Sequence, residues 1–414
     1  MNPALLRSQF KTVLLASVAL FIAVILVMYP EQAVKSSLRG LHIWWDVVFP
    51  ALLPFFITAE MMMGFGVVHF LGVLLEPLMR PIFRVPGAGA FVMAVGLISG
   101  NPMGAKLTAR LREQNLVSKE EGERLISFTS TAGPLFIFGA VAVGFFENKS
   151  VGLILAVAHY ISAFIVGFSM RFYEKQATPT PPPGIKKGFI LTRAMAAMHR
   201  ARIQDGRTLG QLIGQSVTSA IQTLLLIGGF IMMFSVLTHL INYVGVTAPL
   251  LKGISNLLTF FSFPPELSES ILAGLFEITV GSQVASSVDP SVPMLYKLAI
   301  VSLIIGWNGL SIHAQIASMI SRTDIRYYPY FAAKILHGFL AALITILIFP
   351  FFKHSLQNDT TILSVFHPVS SPGAFSVWGI LQGFAATVTL IWFLALVYQE
   401  TKAVAESFRY NKTR

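Results

Sequence analysis

The chain contains no cysteine. Disulfides, thiolate metal sites and cysteine nucleophiles are therefore excluded. Charge is scarce as well. Asp, Glu, Lys and Arg make up 12% of the 414 residues, where soluble domains carry about 25%. With 54% hydrophobic residues, apolar runs recur along the whole length, and no sizeable soluble domain fits. His-Glu-x-x-His, Gly-x-Ser-x-Gly and Asp-rich metal pairs are missing from these runs. No enzyme, cofactor or metal is expected. Acidic residues are fewer than basic ones, 19 against 30, for a net charge of +11. That excess does not indicate nucleic acid. The Lys and Arg sit in particular loops, where they orient spans against a lipid bilayer.

Apolar runs long enough to span cover about 11–30, 43–75, 123–146, 150–172, 209–243, 295–321, 328–352 and 375–398. The first lacks a small-residue cleavage site and reads as a retained helix. Two further runs, 87–105 and 266–288, are interrupted by Gly, Pro or polar residues. Loop charges place both flanks of each on one side. Arg80 and Arg84 precede the first, and Lys106, Arg110, Arg112, Lys119 and Arg124 follow it; this hairpin enters and leaves from the cytoplasm. Glu266, Glu269 and Asp289 flank the second, which is expected to approach from outside. The segment 171–208 holds eight Lys/Arg and reads as a cytoplasmic linker. It contains a polyproline-type spacer, Thr178–Gly184, and then Phe189–Ile203, either a basic helix on the inner leaflet or a solvated connector. Both termini are expected in the cytoplasm.

The two halves repeat. Gly96 and Gly274, the segments 83–86 and 261–264, and His159 and His337 are each 178 residues apart, and the segments 133–138 and 308–313 are 175 apart. Helix, interrupted hairpin, interrupted helix and helix follow in the same order twice. An odd number of crossings separates the copies, so they have opposite topology. The expected fold is an all-α polytopic membrane protein of inverted repeats, each with a re-entrant hairpin and a broken helix. The expected division is 1–40 for the N-terminal helix, 41–172 for the first repeat, 173–208 for the linker, 209–353 for the second repeat, and 354–414 for an external loop, last span and tail.

Broken backbone survives at membrane depth only inside protein or against a water-filled cavity. Its freed N–H and C=O groups then bind a ligand, and half-helix N-termini favour an anion. The breaks are Ser99–Pro102, Thr129–Pro134, Glu277–Gly281 and Gly306–Ser311.

"GLFEITVGSQ" (274–283) and "GWNGLSIHAQIASMISRTDIRYYPYFAAK" (306–334) resemble the YlbJ (SpoVV) family of sporulation integral membrane proteins. "SGNPMGAK" (99–106) fits the same pattern, and the likeness covers about 40–350. That family belongs to the nucleoside-recognition "gate" group and is distantly similar to concentrative nucleoside transporters. The resemblance implies alternating-access export of dipicolinate from the mother cell across the outer forespore membrane. The chain lacks the Gln-Thr-Glu of nucleoside carriers in its first hairpin, which weighs against a nucleoside. A nucleoside or nucleobase carrier, and a non-transporting factor for cortex assembly, remain the alternatives. Gate-fold relatives also imply a homo-oligomer.

A small organic anion calls for N–H clusters, amides and a cation. The candidate binding residues are Ser99, Gly100, Asn101, Thr129, Ser130, Thr131, Glu277, Thr279, Gly281, Ser282, Gln283, Asn308, Ser311, His313 and Gln315. Glu60, Lys106, Asp324 and Arg326 are candidates for coupling or gating, the last two as an ion pair. Glu277 reads either as a protonatable functional group or as a brace accepting backbone N–H groups. His159 and His337 read as interhelical hydrogen-bonders.

Overall fold

The computed structural model describes residues 3–181 and 190–358. The expected last span, 375–398, and the tail lie outside them. The described residues are helical, with no strand among them.

The first expected span is α1 (Pro3–Met28). It meets α2 (Pro30–His42) at a 103° bend. Pro30 starts α2 because its missing N–H costs nothing in a first turn. A π-helical stretch (Ile43–Val48) leads into α3 (Phe49–Gly64). The run 43–75, read from hydropathy as one spanning segment, is bent. Gly66 adopts φ +78°, ending α3 and turning the chain by 80° into α4 (Val67–Phe83). Hydropathy does not register such a turn, because both arms are equally apolar.

The first hairpin is α5 (Ala88–Ser99) and α6 (Met103–Glu113). Gly100 (φ +81°), Asn101 and a cis Pro102 join them. The returning arm continues to Glu113, beyond the expected 105. A Ser118–Glu121 capping box then starts α7 (Lys119–Thr129). The chain breaks over 130–134 and resumes as a π-helical segment (Leu135–Phe145). The long helix α8 (Lys149–Met170) follows.

In the linker, α9 (Ile190–Asp205) packs on α4. Its Met198 carbonyl lies where a side chain at Gly66 would be. It is thus docked on protein, and neither expectation for this helix anticipated that contact.

A Thr208–Gln211 capping box opens α10 (Leu209–Tyr243), which packs along α2 and α3. The Trp44 indole N–H donates to the Leu224 carbonyl at 2.8 Å, and Ser235 donates to Ser36 at 2.8 Å. The short α11 (Ala248–Phe260) leads to the second hairpin, α12 (Ser268–Phe276) and α13 (Ile278–Ser287). One extended residue, Glu277, joins its arms. A broken helix follows, α14 (Met294–Trp307) and α15 (Gly309–Ile320), interrupted at Asn308 with φ +77°. Last comes α16 (Tyr327–Asn358), lying against α14 and α8.

Both hairpins break inside the protein, as anticipated, and both are followed by a broken helix and a long one. Lys149–Met170, Leu209–Tyr243, the broken Met294–Ile320 and Tyr327–Phe352 are long and apolar enough to cross a membrane. Their outward residues, such as Phe339, Leu347 and Phe351 on α16, are exposed, as suits a surface solvated by lipid.

Candidate functional site at the broken helix ends

The breaks converge on one cavity of about 130 Å³. Ser99, Gly100 and Asn101 line it from the first hairpin, and Ala132 and Gly133 from the break after α7. Glu277, Ile278 and Thr279 contribute from the second hairpin, and Ser311 and Gln315 from α15. Ile227 and Ile231 of α10 close an apolar side. The N-terminal ends of α13, α15 and the π-helical segment all lie on this wall, so three positive dipole ends meet there.

Asn308 joins the pieces. It is fully buried, and its left-handed backbone is one that Asn tolerates better than most residues. Its Oδ1 accepts from the Asn101 amide at 3.0 Å. Its Nδ2 donates to the Ser130 carbonyl and to the Tyr330 hydroxyl, both at 3.0 Å. One side chain thereby ties the first hairpin, the first break and α16 to the second broken helix.

Glu277 is 8% exposed and caps α13. Its Oε2 accepts from the Val280 N–H at 2.9 Å, and its Oε1 from the Thr279 hydroxyl at 3.1 Å. The carboxylate therefore braces the hairpin tip and also faces the cavity. On the wall, Ser99 Oγ and Asn101 Oδ1 are buried without a hydrogen-bond partner among the described residues; the expected Ser130, Thr131 and Ser282 hydroxyls are likewise buried and unpaired there but lie off the lining. Such oxygens are costly to leave unpaired and are ready to meet a ligand.

Several expected residues lie elsewhere. Thr129 bonds back to the Leu125 carbonyl and ends α7, so the wall begins three residues later, at Ala132. Gly281 serves the hairpin itself. A Cβ there would come within 2.3 Å of the Gly274 backbone, so the two glycines let the arms touch. Gln283 points outward, its carbonyl accepting from Ser286 and Ser287. His313 is engaged at both nitrogens, by the Tyr327 hydroxyl at 2.6 Å and the Trp307 carbonyl at 2.9 Å, and does not line the cavity. Glu60 and Lys106 pair at 3.0 Å, with Arg110 gripping the same carboxylate at 2.8 Å and Ser219 donating at 3.0 Å.

Asp324 and Arg326 do not pair with each other. Asp324 binds Arg112 at 2.8 and 3.0 Å. Arg326 binds Glu123 at 2.8 and 3.0 Å, together with Tyr173 and Glu174. Sequence proximity suggested the wrong pairs, because the 321–326 loop packs against α6 and α7. The Arg112 hydrogen bond holds the Asp324 carboxyl below its ordinary range, and the Glu123 hydrogen bond raises Arg326.

His159 and His337 stack with ring centres 4.6 Å apart, and the His337 ring meets the His159 carbonyl at 3.0 Å. Lys334, fully buried on α16, went unremarked in the sequence. A lysine between Ala333 and Ile335 in an apolar run was the available signal.

These features define an all-α integral membrane protein with a largely apolar cavity, carrying a few polar groups, at the ends of interrupted helices. A family model for nucleoside recognition, Gate, matches residues 45–149. The sporulation integral membrane protein YlbJ of Bacillus subtilis (strain 168) is 48% identical over 348 residues, covering 82% of this chain and 83% of that protein. The chain belongs to the YlbJ family. An uncharacterised protein of Alkalihalophilus pseudofirmus is 22% identical over 282 residues, 64% of this chain and 58% of its own. A solved structure of CNTnw in an inward-facing substrate-bound state aligns with 86% of this chain and 88% of its own, at 14% identity and a TM-score of 0.38.

Proposed function

We propose that the chain is a sporulation membrane transporter that carries a small aromatic dicarboxylate, dipicolinate, across the outer forespore membrane by alternating access. The observation that carries this reading is the cavity itself. Broken backbone persists at membrane depth where it serves a ligand or a water-filled space, and here three helix N-termini, two amides and the unpaired Ser99 hydroxyl share one wall. Those groups suit a planar anion. The membership in the YlbJ family supports sporulation as the setting.

Inverted repeats are part of the proposal. Asn308 contacts Ser130, and His337 contacts His159, each pair 178 residues apart. Residues related by a two-fold axis touch each other only near that axis. Two such contacts at one offset support a pseudo-two-fold running beside the cavity. On this reading the Arg112–Asp324 and Glu123–Arg326 pairs link the halves on the cytoplasmic side and open during the cycle. The oligomeric state of the relatives remains part of the proposal.

The nucleoside-recognition match favours one competing reading, a nucleoside carrier. Purified protein in liposomes loaded with terbium separates the two. Dipicolinate entry raises terbium emission, and labelled uridine is followed in parallel. Emission that rises only with protein supports the dicarboxylate. Uridine entry with flat emission moves the chain to nucleosides. Entry of neither overturns the carrier and favours a scaffold role in cortex assembly.

A further inference from the structure

Lys334 is the one fully buried cation outside the cavity wall that has no carboxylate partner among the described residues. Its Nζ lies 3.2 Å from His337 Nδ1 and 5.7 Å from the centre of the Tyr330 ring. Two chains of contacts lead from it to the cavity, one beginning with the hydrogen bond to His337 and the other with the cation–π contact to the Tyr330 ring. In one, His337 Nε2 donates to the His159 carbonyl at 3.0 Å, and His159 Nε2 accepts from the Ala132 N–H at 3.1 Å. Ala132 lines the cavity. In the other, the Tyr330 hydroxyl accepts from Asn308, which accepts from Asn101, another wall residue.

These bonds fix the histidine tautomers. The His159 carbonyl can only accept, so His337 carries its proton on Nε2 and offers a lone pair at Nδ1 to Lys334. His159 Nε2 accepts from Ala132, so its proton is on Nδ1, which is buried and has no partner.

Most charged groups on the packed elements are engaged elsewhere, and the rest stand at helix ends. On α7, Glu123 is held by Arg326, Glu121 by Thr180 and the Ser118 N–H, and Arg124 by backbone carbonyls; Lys119 and Glu120 stand at that helix's first turn. On α15, His313 is bound at both nitrogens. On α14, Lys297 donates to the Val288 carbonyl, and Tyr296 packs on Phe263. On α8, Tyr160 donates to the Ala132 and Leu97 carbonyls, and Lys149 stands at the far N-terminal end. On α16 itself, Tyr327 bonds His313. Among the described residues no negative charge is paired with Lys334. An ammonium buried without a counter-ion is unfavourable, and lysine is the cation that sheds its proton in such a place. A nearby anion reverses the preference.

We propose that Lys334 is a proton-binding site coupled to the cavity: an anion entering the cavity is accompanied by uptake of one proton on the Lys334 amine, and release of the anion releases that proton. The coupling rests on the anion reading above; the proton site itself does not. The balance is simple. The neutral amine plus a solvent proton gives the ammonium, and the anion supplies the compensating charge without a covalent step.

The test uses purified full-length protein in detergent. In its first arm, proton release is titrated between about pH 5 and 9 without ligand. Wild type is expected to release one proton more than Lys334→Met or Lys334→Arg, with all three monodisperse. Superimposable curves overturn the proposal. Lys334→Arg keeps the positive charge, so it decides the matter if the methionine variant does not fold. In the second arm, dipicolinate is added in weak buffer with a pH-sensitive dye, and binding heat is measured in parallel. Uptake of about one proton per bound dipicolinate in wild type, and none in Lys334→Arg, supports the coupling. Heat without proton uptake overturns it. If dipicolinate gives no heat, the substrate reading fails, and the first arm alone decides the proton site.

Discussion

The two hairpins share an order of elements but are held differently. The first is anchored outward. Asn101 bonds to Asn308 across the halves, Gly96 and Gly104 let its arms press on the Thr129 carbonyl, and Lys106 and Arg110 grip Glu60 on α3. The second is largely self-contained. Glu277 caps its own second arm, Gly274 meets Gly281, and Ser270 donates to the Gly281 carbonyl at 2.9 Å. Its tip also stands between two spaces. Glu277, Ile278 and Thr279 face the 130 Å³ cavity, while Phe276, Val280 and Val284 face another of about 180 Å³ that also touches Arg39, His239 and Glu269. The lesson is that one motif is held mainly across the halves in the first copy and mainly by its own arms in the second, where the Trp307 indole reaching the Leu275 carbonyl is the bond to the following helix.

The largest expected break of this contrast is Asn308→Ala. It removes three hydrogen bonds and forces alanine into the left-handed region, for a loss of about 3–5 kcal/mol. Asn308→Gly keeps that backbone and recovers about 1 kcal/mol of it. Thermal melting in detergent reads both. Equal melting for the two variants would place the whole effect in the hydrogen bonds.

Next is Gly281→Ala, whose methyl would press on Gly274 at a cost of about 1–3 kcal/mol. If the second hairpin is self-contained, this loss adds independently to that of Asn101→Ala in the double variant. A coupling above about 0.5 kcal/mol would break the comparison.

Smaller still on stability is Glu277→Gln. The amide oxygen continues to accept from Val280, so melting changes by about 1 kcal/mol or less, while on the proposed dicarboxylate reading dipicolinate transport is expected to be lost. Normal transport by this variant would leave Glu277 only its brace.

The smallest effect belongs to Arg112–Asp324. Asp324 is half exposed, and a double-variant cycle should give under about 1 kcal/mol. The sign follows from linkage. The folded Asp324 carboxyl titrates below its ordinary value of 3.8, so the pair's contribution is complete above about pH 4 and fades as the pH falls through the lower folded value. Asp324→Asn should flatten that part of the melting-versus-pH curve. An unchanged curve would remove the pair from the account.

Much of this was legible in one dimension. Hydropathy located α8, α10 and α16 within a few residues, because a helix in lipid must be continuously apolar. The four breaks were visible because Gly, Pro, Asn and Glu are conspicuous in apolar surroundings. Glu60 and Lys106 each stand out as charges beside apolar runs, and the fold makes them partners.

What the sequence by itself determined is therefore the membrane class, the breaks and most of the residues beside them. Those follow from local chemistry, the solvation of each side chain and the φ each residue tolerates. Only the tertiary structure decided which breaks meet, that Asn308 joins three elements, that Asp324 and Arg326 seek partners in the other half, and that Lys334 lies buried beside His337. Those are contacts between residues up to 212 positions apart. They depend on how the helices pack, and no local pattern encodes a distance across the fold.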